Sequence, residues 1–347
     1  MKVTYVALDP LKYPRVKKIA YSLRKRSDIQ FHVLTPKIRL IWYGNKVKRL
    51  ISAFINYTTV FLQIFFAKSD IFWVANSPDI LVLPLVLKRK GYILEYRSPW
   101  SIEIEREFGP GPWARLAALI ENVALKNASI ITLATSRLEA KIRNLGKPYF
   151  VIPNYPLKTF KASIRREEFR RQQGVKDGEK VVLFVGRLSS HEGVDLLPNI
   201  VEDVLKKEKD VVFWVVGDGP LFPSLRRLGE KMAGRLRLFG WQAYESIPNF
   251  INAADVCVLP MRESAHAEYY NEEGLQKISE YMFFEKPIVA CGVAESSEYL
   301  LVKEDELADG ILRALRGEAP KPKRRTWEDF SEKRILEMFN LIVSGKL

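Results

Sequence analysis

The chain has 347 residues, 47% of them apolar and 12% aromatic, enough to fill two ordinary cores and too hydrophobic for a disordered or collagen-like protein. Its formal charge of +14 sits entirely in the first half: residues 1–155 hold 25 Lys and Arg against 10 Asp and Glu, a net of +15, and the remainder holds 30 against 31. Both cysteines, Cys257 and Cys291, lie in apolar runs, which suits buried thiols and excludes a disulfide framework or a structural zinc site.

The opening Met1-Lys2-Val3-Thr4-Tyr5-Val6 reads as a core strand rather than a secretory leader. That strand is expected at residues 2–8, and further ones at 30–34, 70–74, 92–96, 129–133 and 149–152. Between the first two, Val16, Ile19, Ala20 and Leu23 form an apolar helical stripe, with Lys17, Lys18, Arg24 and Lys25 on the other face. A second helix carries Leu50, Phe54, Tyr57, Phe61 and Phe65 on one side. Its opposite stripe, Ser52, Asn56, Thr59 and Gln63, is polar but uncharged, which predicts a mostly covered helix and is too polar for a membrane span. From Lys12 to Arg49 there are 12 basic residues and one acid, Asp28, with Ile41, Trp42 and Tyr43 among them. Such a field attracts an anionic partner, either nucleic acid or an acidic membrane surface.

A turn-rich connection, Pro153-Asn154-Tyr155-Pro156, precedes a second series of strands at 180–185, 211–216, 236–239, 255–259 and 287–290. Two βα series predict an α/β protein of two Rossmann-like domains facing across a cleft. Their bounds are 1–155, completed by a C-terminal helix at 326–347, and 156–325. Thr326 is the expected N-cap of that helix, and the basic run Lys321, Lys323, Arg324 and Arg325 before it reads as a solvated linker.

Three stretches of the second half bear on chemistry. Val185-Gly186-Arg187-Leu188 puts glycine directly after a strand, where backbone approaches a ligand closely, and follows it with a bidentate phosphate donor. Val216-Gly217-Asp218-Gly219-Pro220 is a second strand-to-helix turn on the same sheet edge. Either alone is also what an ordinary tight turn looks like. In Glu272-Glu273-Gly274-Leu275-Gln276-Lys277-Ile278-Ser279-Glu280, a helix beginning near Gly274 would offer the N–H groups of 274–276 to an anion, with Glu272 before it and Glu280 in its second turn. Glutamates beside such a site suit the hydroxyls that flank a phosphate in ribose or hexose.

Together with Ala253-Ala254-Asp255-Val256-Cys257-Val258-Leu259-Pro260 and Lys286-Pro287-Ile288-Val289-Ala290, these motifs, over roughly residues 180–291, resemble the nucleotide-binding domain of retaining GT-B glycosyltransferases of glycosyltransferase family 4 (glycosyl transferases group 1). Residues 137–154 and the Thr326-Trp327-Glu328 helix resemble the end of that family's first domain and its returning helix. The resemblance implies that Gly186 and Arg187 hold the diphosphate of a sugar nucleotide, with Gly217 on the neighbouring turn. It implies Glu280 on the ribose, Glu272 on the transferred sugar, the N–H groups of Gly274 and Leu275 on the leaving phosphate, and Lys277 adding charge there. Arg187 and Glu272 are thus the catalytic candidates, and no metal or other cofactor is implied. Departures accompany it. Glu192 stands where many relatives have a lysine, so Lys277 or Arg262 must replace that charge. Asp9-Pro10-Leu11-Lys12 replaces the glycine-rich acceptor loop. His32, expected to be buried in its strand, does not supply the family's first-domain histidine; His191 and His266 lie in loops.

The expectation is a hexosyl transferase using a nucleoside-diphosphate-sugar donor and a glycan or lipid-linked acceptor, cytoplasmic and peripheral on an anionic membrane surface, with no nucleic acid partner. The alternatives are a nucleotide-sugar epimerase of the same fold, or a polyanion-binding protein without catalysis.

Overall fold

The computed structural model describes residues 1–8, 14–34, 46–232, 234–264 and 266–347, with the side chains of 46, 47, 49 and 50 also excepted. The Asp9–Lys12 replacement and the Ile41-Trp42-Tyr43 segment therefore lie outside the described residues. The chain divides into two compact units, Met1–Asn154 with Trp327–Leu347, and Tyr155–Thr326.

The first unit is built on six parallel strands, β1 (Lys2–Val6), β2 (Gln30–Leu34), β3 (Ile71–Ala75), β4 (Tyr92–Tyr96), β5 (Ile130–Leu133) and β6 (Tyr149–Val151), in the order β2-β1-β3-β4-β5-β6. The near-continuous apolar runs of β3, β4 and β5 follow from burial on both faces. The intervening helices are α1 (Pro14–Leu23), α2 (Lys46–Phe66), α3 (Leu83–Leu87), α4 (Trp100–Phe108), α5 (Pro112–Asn127) and α6 (Glu139–Ile142). The step from β1 to β2 runs opposite to the later ones, so right-handed crossovers put α1 on one face of the sheet and α2, α3 and α5 on the other.

Several expectations change here. Lys18 does not face solvent: it is buried, its Nζ donates to the carbonyl and Oδ1 of Asn154 (2.9 and 2.7 Å) and lies 5.0 Å above the Trp327 ring. Lys25 is paired with Glu332 at 2.7 Å. The returning C-terminal segment packs on α1, a contact between residues some 300 positions apart that no local pattern announces. Only Lys17 and Arg24 of the four are exposed outside that contact. His32 is exposed, because β2 is an edge strand. α2 is inverted: Ser52, Asn56, Val60 and Ile64 are buried, whereas Phe54 is 73% exposed and Tyr57, Phe61 and Phe65 are only half-buried. Asn56 makes this possible by returning its amide N–H to the Ser52 carbonyl of its own helix at 2.9 Å. At the sheet centre Glu95, fully buried, accepts from Arg15 and from the Tyr5 hydroxyl.

The second unit repeats the architecture with β7 (Lys180–Val185), β8 (Val211–Val216), β9 (Leu236–Gly240), β10 (Val256–Pro260), β11 (Ile288–Cys291) and β12 (Leu300–Leu301), ordered β12-β11-β10-β7-β8-β9. Its helices are α7 (Arg166–Gln172), α8 (Leu197–Lys207), α9 (Phe222–Lys231), α10 (Ile247–Ala253), α11 (Gln276–Phe283) and α12 (Leu307–Leu315). Alternation along β7 supplies both cores: Val181, Leu183 and Val185 join Trp214 and Tyr281 on one face, and Val182 and Phe184 join Phe213 and Val258 on the other. Asp255 is structural, binding Arg166, Arg170 and the Val181 N–H; burial opposes its charge, but these partners hold its carboxyl below the usual range.

The last helix, α13 (Ser331–Val343), starts five residues later than Thr326, and Ser331 Oγ donates to the Pro153 carbonyl at 2.5 Å. The basic run before it is no solvated linker. Arg324 lies 4.0 Å over the Phe283 ring, and Arg325 is bound to Glu298 (2.6 Å) and the Tyr155 hydroxyl (3.1 Å).

Candidate functional site

In the second sheet β7 is flanked by β10 and β8, so the strand order reverses beside it, and the crevice at its carboxyl end is where open α/β sheets bind ligands. Gly186 follows β7 there and Gly217 follows β8. A Cβ on Gly217, whose φ is 140°, would stand 1.8 Å from the Gly186 carbonyl oxygen, so the two turns touch only because that side chain is missing. Gly186 contributes differently from expectation. Its N–H is given to the Val216 carbonyl at 2.9 Å and does not point at a ligand. What it leaves is space, since a Cβ would meet Lys277 Nζ at 3.0 Å. Arg187, next in the chain, is solvent-exposed.

α11 brings the remaining groups to this edge. The buried Tyr281 hydroxyl accepts the Val185 N–H at 2.9 Å, fixing the helix against the end of β7. One turn earlier, Lys277 crosses the Phe184 ring at 5.3 Å and is ion-paired with Glu192. Of the two cations expected to compensate for Glu192, Lys277 is therefore at the site. Arg262 is not, because its guanidinium is held by Asp195 and Glu304. A loop containing Gly193 carries Glu192 to this position: with φ at 66°, a Cβ there would sit 1.4 Å from the Pro260 carbonyl oxygen.

The helix N-terminus also differs from expectation. α11 begins at Gln276, not near Gly274. The Gly274 N–H points to Asn271 Oδ1 at 3.4 Å and the Leu275 N–H to the Asn271 carbonyl at 2.9 Å, so Asn271 takes the donors expected to meet an anion. The groups that the helix itself leaves without a carbonyl are those of Gln276, Lys277 and Ile278.

The two glutamates are in unlike settings. Glu280 is buried and accepts from Gln276 Nε2 at 2.6 Å and from the Tyr244 hydroxyl. Burial, and after it the Glu280 charge, pushes the Tyr244 hydroxyl far above the usual phenol range, so it stays a donor. Glu272 is 9% exposed; its Oε1 lies 3.8 Å from Arg325, and its Oε2 is buried with no hydrogen-bond partner. A buried carboxylate oxygen of that kind is costly unless something donates to it. Tyr244, Asn271, Arg325 and Tyr155 were not legible as site residues: only the basic run around Arg325 gave a signal, and it pointed to solvent. His191 is exposed and His266 half-buried, each in its loop. Among the described residues no three His, Cys, Asp or Glu side chains converge as a metal site would need.

Residues 179–317, which include Gly186, Arg187, Glu192, Glu272, Lys277 and Glu280, match the family model described as Glycosyl transferases group 1. The chain is 27% identical over 220 residues to the alpha-D-kanosaminyltransferase of Streptomyces kanamyceticus, covering 61% of this chain and 53% of that protein. It thus spans about half the length of that curated relative. Among solved structures, sucrose-phosphate synthase from Thermosynechococcus elongatus superposes with a TM-score of 0.70 at 17% identity, over 99% of this chain and 96% of that one. Anabaena HepE in complex with UDP and glucose does so with a TM-score of 0.67 at 16% identity, over 99% of each chain. The fold is GT-B.

Proposed function

We propose that the chain is a retaining glycosyltransferase that moves a sugar from a nucleoside-diphosphate donor to an acceptor hydroxyl. The observation that carries this reading is Glu272: a buried carboxylate oxygen without a donor, beside a helix N-terminus and a lysine at a glycine-lined strand end. A sugar hydroxyl supplies the missing donor and a diphosphate supplies the anion. The match of residues 179–317 and a neighbour solved with UDP and glucose support the same chemistry.

In this reading the diphosphate lies against Gly186, met by Lys277, by the first N–H groups of α11 and by Arg187 swinging in from solvent. Glu280, preset by Gln276 and Tyr244, receives the ribose hydroxyls, and Glu272 a hydroxyl of the transferred sugar. As the bond from the anomeric carbon to the phosphate oxygen breaks, the acceptor oxygen bonds the same face of that carbon and its proton passes to the departing phosphate. The protein stabilises charge building on the diphosphate and positions the partners. Those cations and N–H groups take the part a metal plays elsewhere. The acceptor is a glycan or lipid-linked, and the +15 first half holds the chain peripherally at an anionic membrane face on the cytoplasmic side.

The test pairs donor binding with turnover. Glu272→Gln should leave affinity for the free nucleoside diphosphate within about threefold and lower transfer by roughly 100-fold, the loss of a charge-assisted contact of about 1.5–3 kcal/mol. Equal weakening of nucleotide and nucleotide-sugar binding, measured by calorimetry, would place Glu272 elsewhere.

A further inference from the structure

The outward surface of one face of the first unit does not behave as an ordinary solvated surface. α2 packs on α3, α3 on α5 and α5 on α4, so these helices form one continuous layer. Along the described part of α2 after Lys48 the exposed positions are Ile51, Phe54, Ile55, Thr58, Leu62 and Phe66, a stripe at spacings of three and four that points away from the core. The layer continues with Leu87 of α3, 69% exposed, and with Trp113, Leu116 and Leu119 of α5, Trp113 being 67% exposed. Large apolar residues repeated in this way mark an interaction surface rather than chance exposure.

Its charge is predominantly positive. α2 and α3 contain no Asp or Glu, and α5 contains one, Glu121, which is buried and accepts from Ser101. Among the described residues, the exposed cations on or beside these three helices are Lys48, Lys68, Lys88, Arg89, Arg115 and Lys126. Among the described residues, the exposed carboxylates nearest this layer are Asp70, just beyond α2, whose Oδ2 accepts the Lys2 N–H at 2.7 Å, and Glu107 at the α4 margin. Between α4 and α5 an apolar cavity of about 430 Å³ is lined by Ile80, Trp100, Ile104, Phe108, Trp113 and Leu116, among others. Phe108, Trp113 and Leu116 are themselves exposed, so this cavity belongs to the same surface.

We infer that the α2–α3–α5 face is the surface by which this chain docks on an anionic lipid bilayer, with the α2 stripe and Trp113 entering the acyl boundary and the cavity taking a hydrocarbon chain. The inference rests on the reading above that the chain works at an anionic membrane face, and it assigns the surface. An apolar stripe bordered by lysine and arginine, with tryptophan at its edge, matches a bilayer whose interior is apolar and whose head groups are negative. A second copy of this chain fits worse, since an isologous contact would set one predominantly basic face against another. The α1 surface, whose lysines suggested docking in the sequence, lies on the opposite side of the sheet, and Lys18 and Lys25 there are committed to Asn154 and Glu332.

The test is flotation of the full chain with vesicles of phosphatidylcholine alone and of phosphatidylcholine mixed with phosphatidylglycerol, at low and high salt. Wild type should float only with the mixed vesicles at low salt. Phe54→Ser/Phe66→Ser should weaken that partitioning by at least about tenfold, since each ring buries enough apolar area for a factor of that size. Trp113→Ser should weaken it further, and Lys17→Ser/Arg24→Ser on α1 should leave it unchanged. All these side chains are exposed, so unaltered thermal unfolding shows that the variants fold. If wild type floats and the aromatic variants float equally well, the membrane reading stands and this surface is wrong. If wild type ignores anionic vesicles at low salt, both fall. A wild-type dimer that becomes monomeric in Phe54→Ser/Phe66→Ser, without vesicle binding, would make the face a self-interface and overturn the proposal.

Discussion

The ion pair between Lys277 and Glu192 makes opposite predictions for its two members. Lys277 Nζ lies 3.0 Å from where a Cβ on Gly186 would stand, so a phosphate bound against that glycine meets the ammonium first and the Glu192 carboxylate one contact further on. Removing the ammonium by Lys277→Met deletes a hydrogen bond to a charged group, about 1.5–3 kcal/mol, and should weaken nucleoside-diphosphate binding roughly 10- to 100-fold. Removing the carboxylate by Glu192→Gln deletes a repulsion. A unit charge about 7 Å from a phosphate at an effective dielectric near 20 amounts to about 2 kcal/mol, so this variant should bind roughly 30-fold more tightly. The pair is only partly exposed, so each single variant also deprives a half-buried charge of this counter-charge, destabilising the fold by about 1–2 kcal/mol. Calorimetry with UDP and GDP, alongside urea unfolding, separates the two effects. Weaker or unchanged binding in a folded Glu192→Gln protein would refute the placement of the diphosphate against Gly186 and Lys277.

Other consequences are equally direct. Tyr244→Phe removes a donor from Glu280 and should weaken free nucleotide binding by about 1–3 kcal/mol, as Glu280→Gln should, while leaving the ratio of sugar-nucleotide to nucleotide affinity unchanged; a change in that ratio on titration would argue against a ribose site. Glu95→Gln should destabilise the first unit by about 3–5 kcal/mol, because it strips the partner from the buried Arg15 guanidinium; a urea midpoint shift worth less than about 1 kcal/mol would contradict the pairing. Asp79 is fully buried, and burial, then Glu121 and Glu103, push its carboxyl well above the usual range against the smaller opposing pull of Arg97 and Asn76. The folded state therefore keeps a proton that the unfolded chain releases near pH 3.9, so this group's stabilisation is complete at low pH and declines as pH rises toward its folded value. Asp79→Asn should lack that decline, and its stability relative to wild type should grow from about pH 4 toward neutrality; a pH-independent difference in unfolding midpoints would show that Asp79 does not titrate in this way.

Much of the fold is written in local pattern. The runs 92–96, 180–185 and 211–216 are strands at the expected bounds, because residues buried on both faces of a parallel sheet leave a near-continuous apolar run, and the edge strand 30–34 also keeps its expected bounds. The motif order around Gly186, Gly217, Glu272 and Glu280 is equally local, since each turn must be glycine where backbones touch and each carboxylate sits on one short segment.

What the sequence by itself could not decide were the pairings between distant segments. The segment Trp327–Glu332 returns to α1 and takes Lys18 and Lys25 out of the basic face; β2 stands at an edge and exposes His32. Asn271 occupies the N–H groups of Gly274 and Leu275, and Glu192, an apparent defect, becomes the partner of Lys277. α2 shows the reason most plainly. Periodicity reports that a helix has two unlike stripes, but which stripe faces the protein depends on what the rest of the chain presents to it, and here Ser52 and Asn56 face inward while Phe54 and Phe66 are left outside.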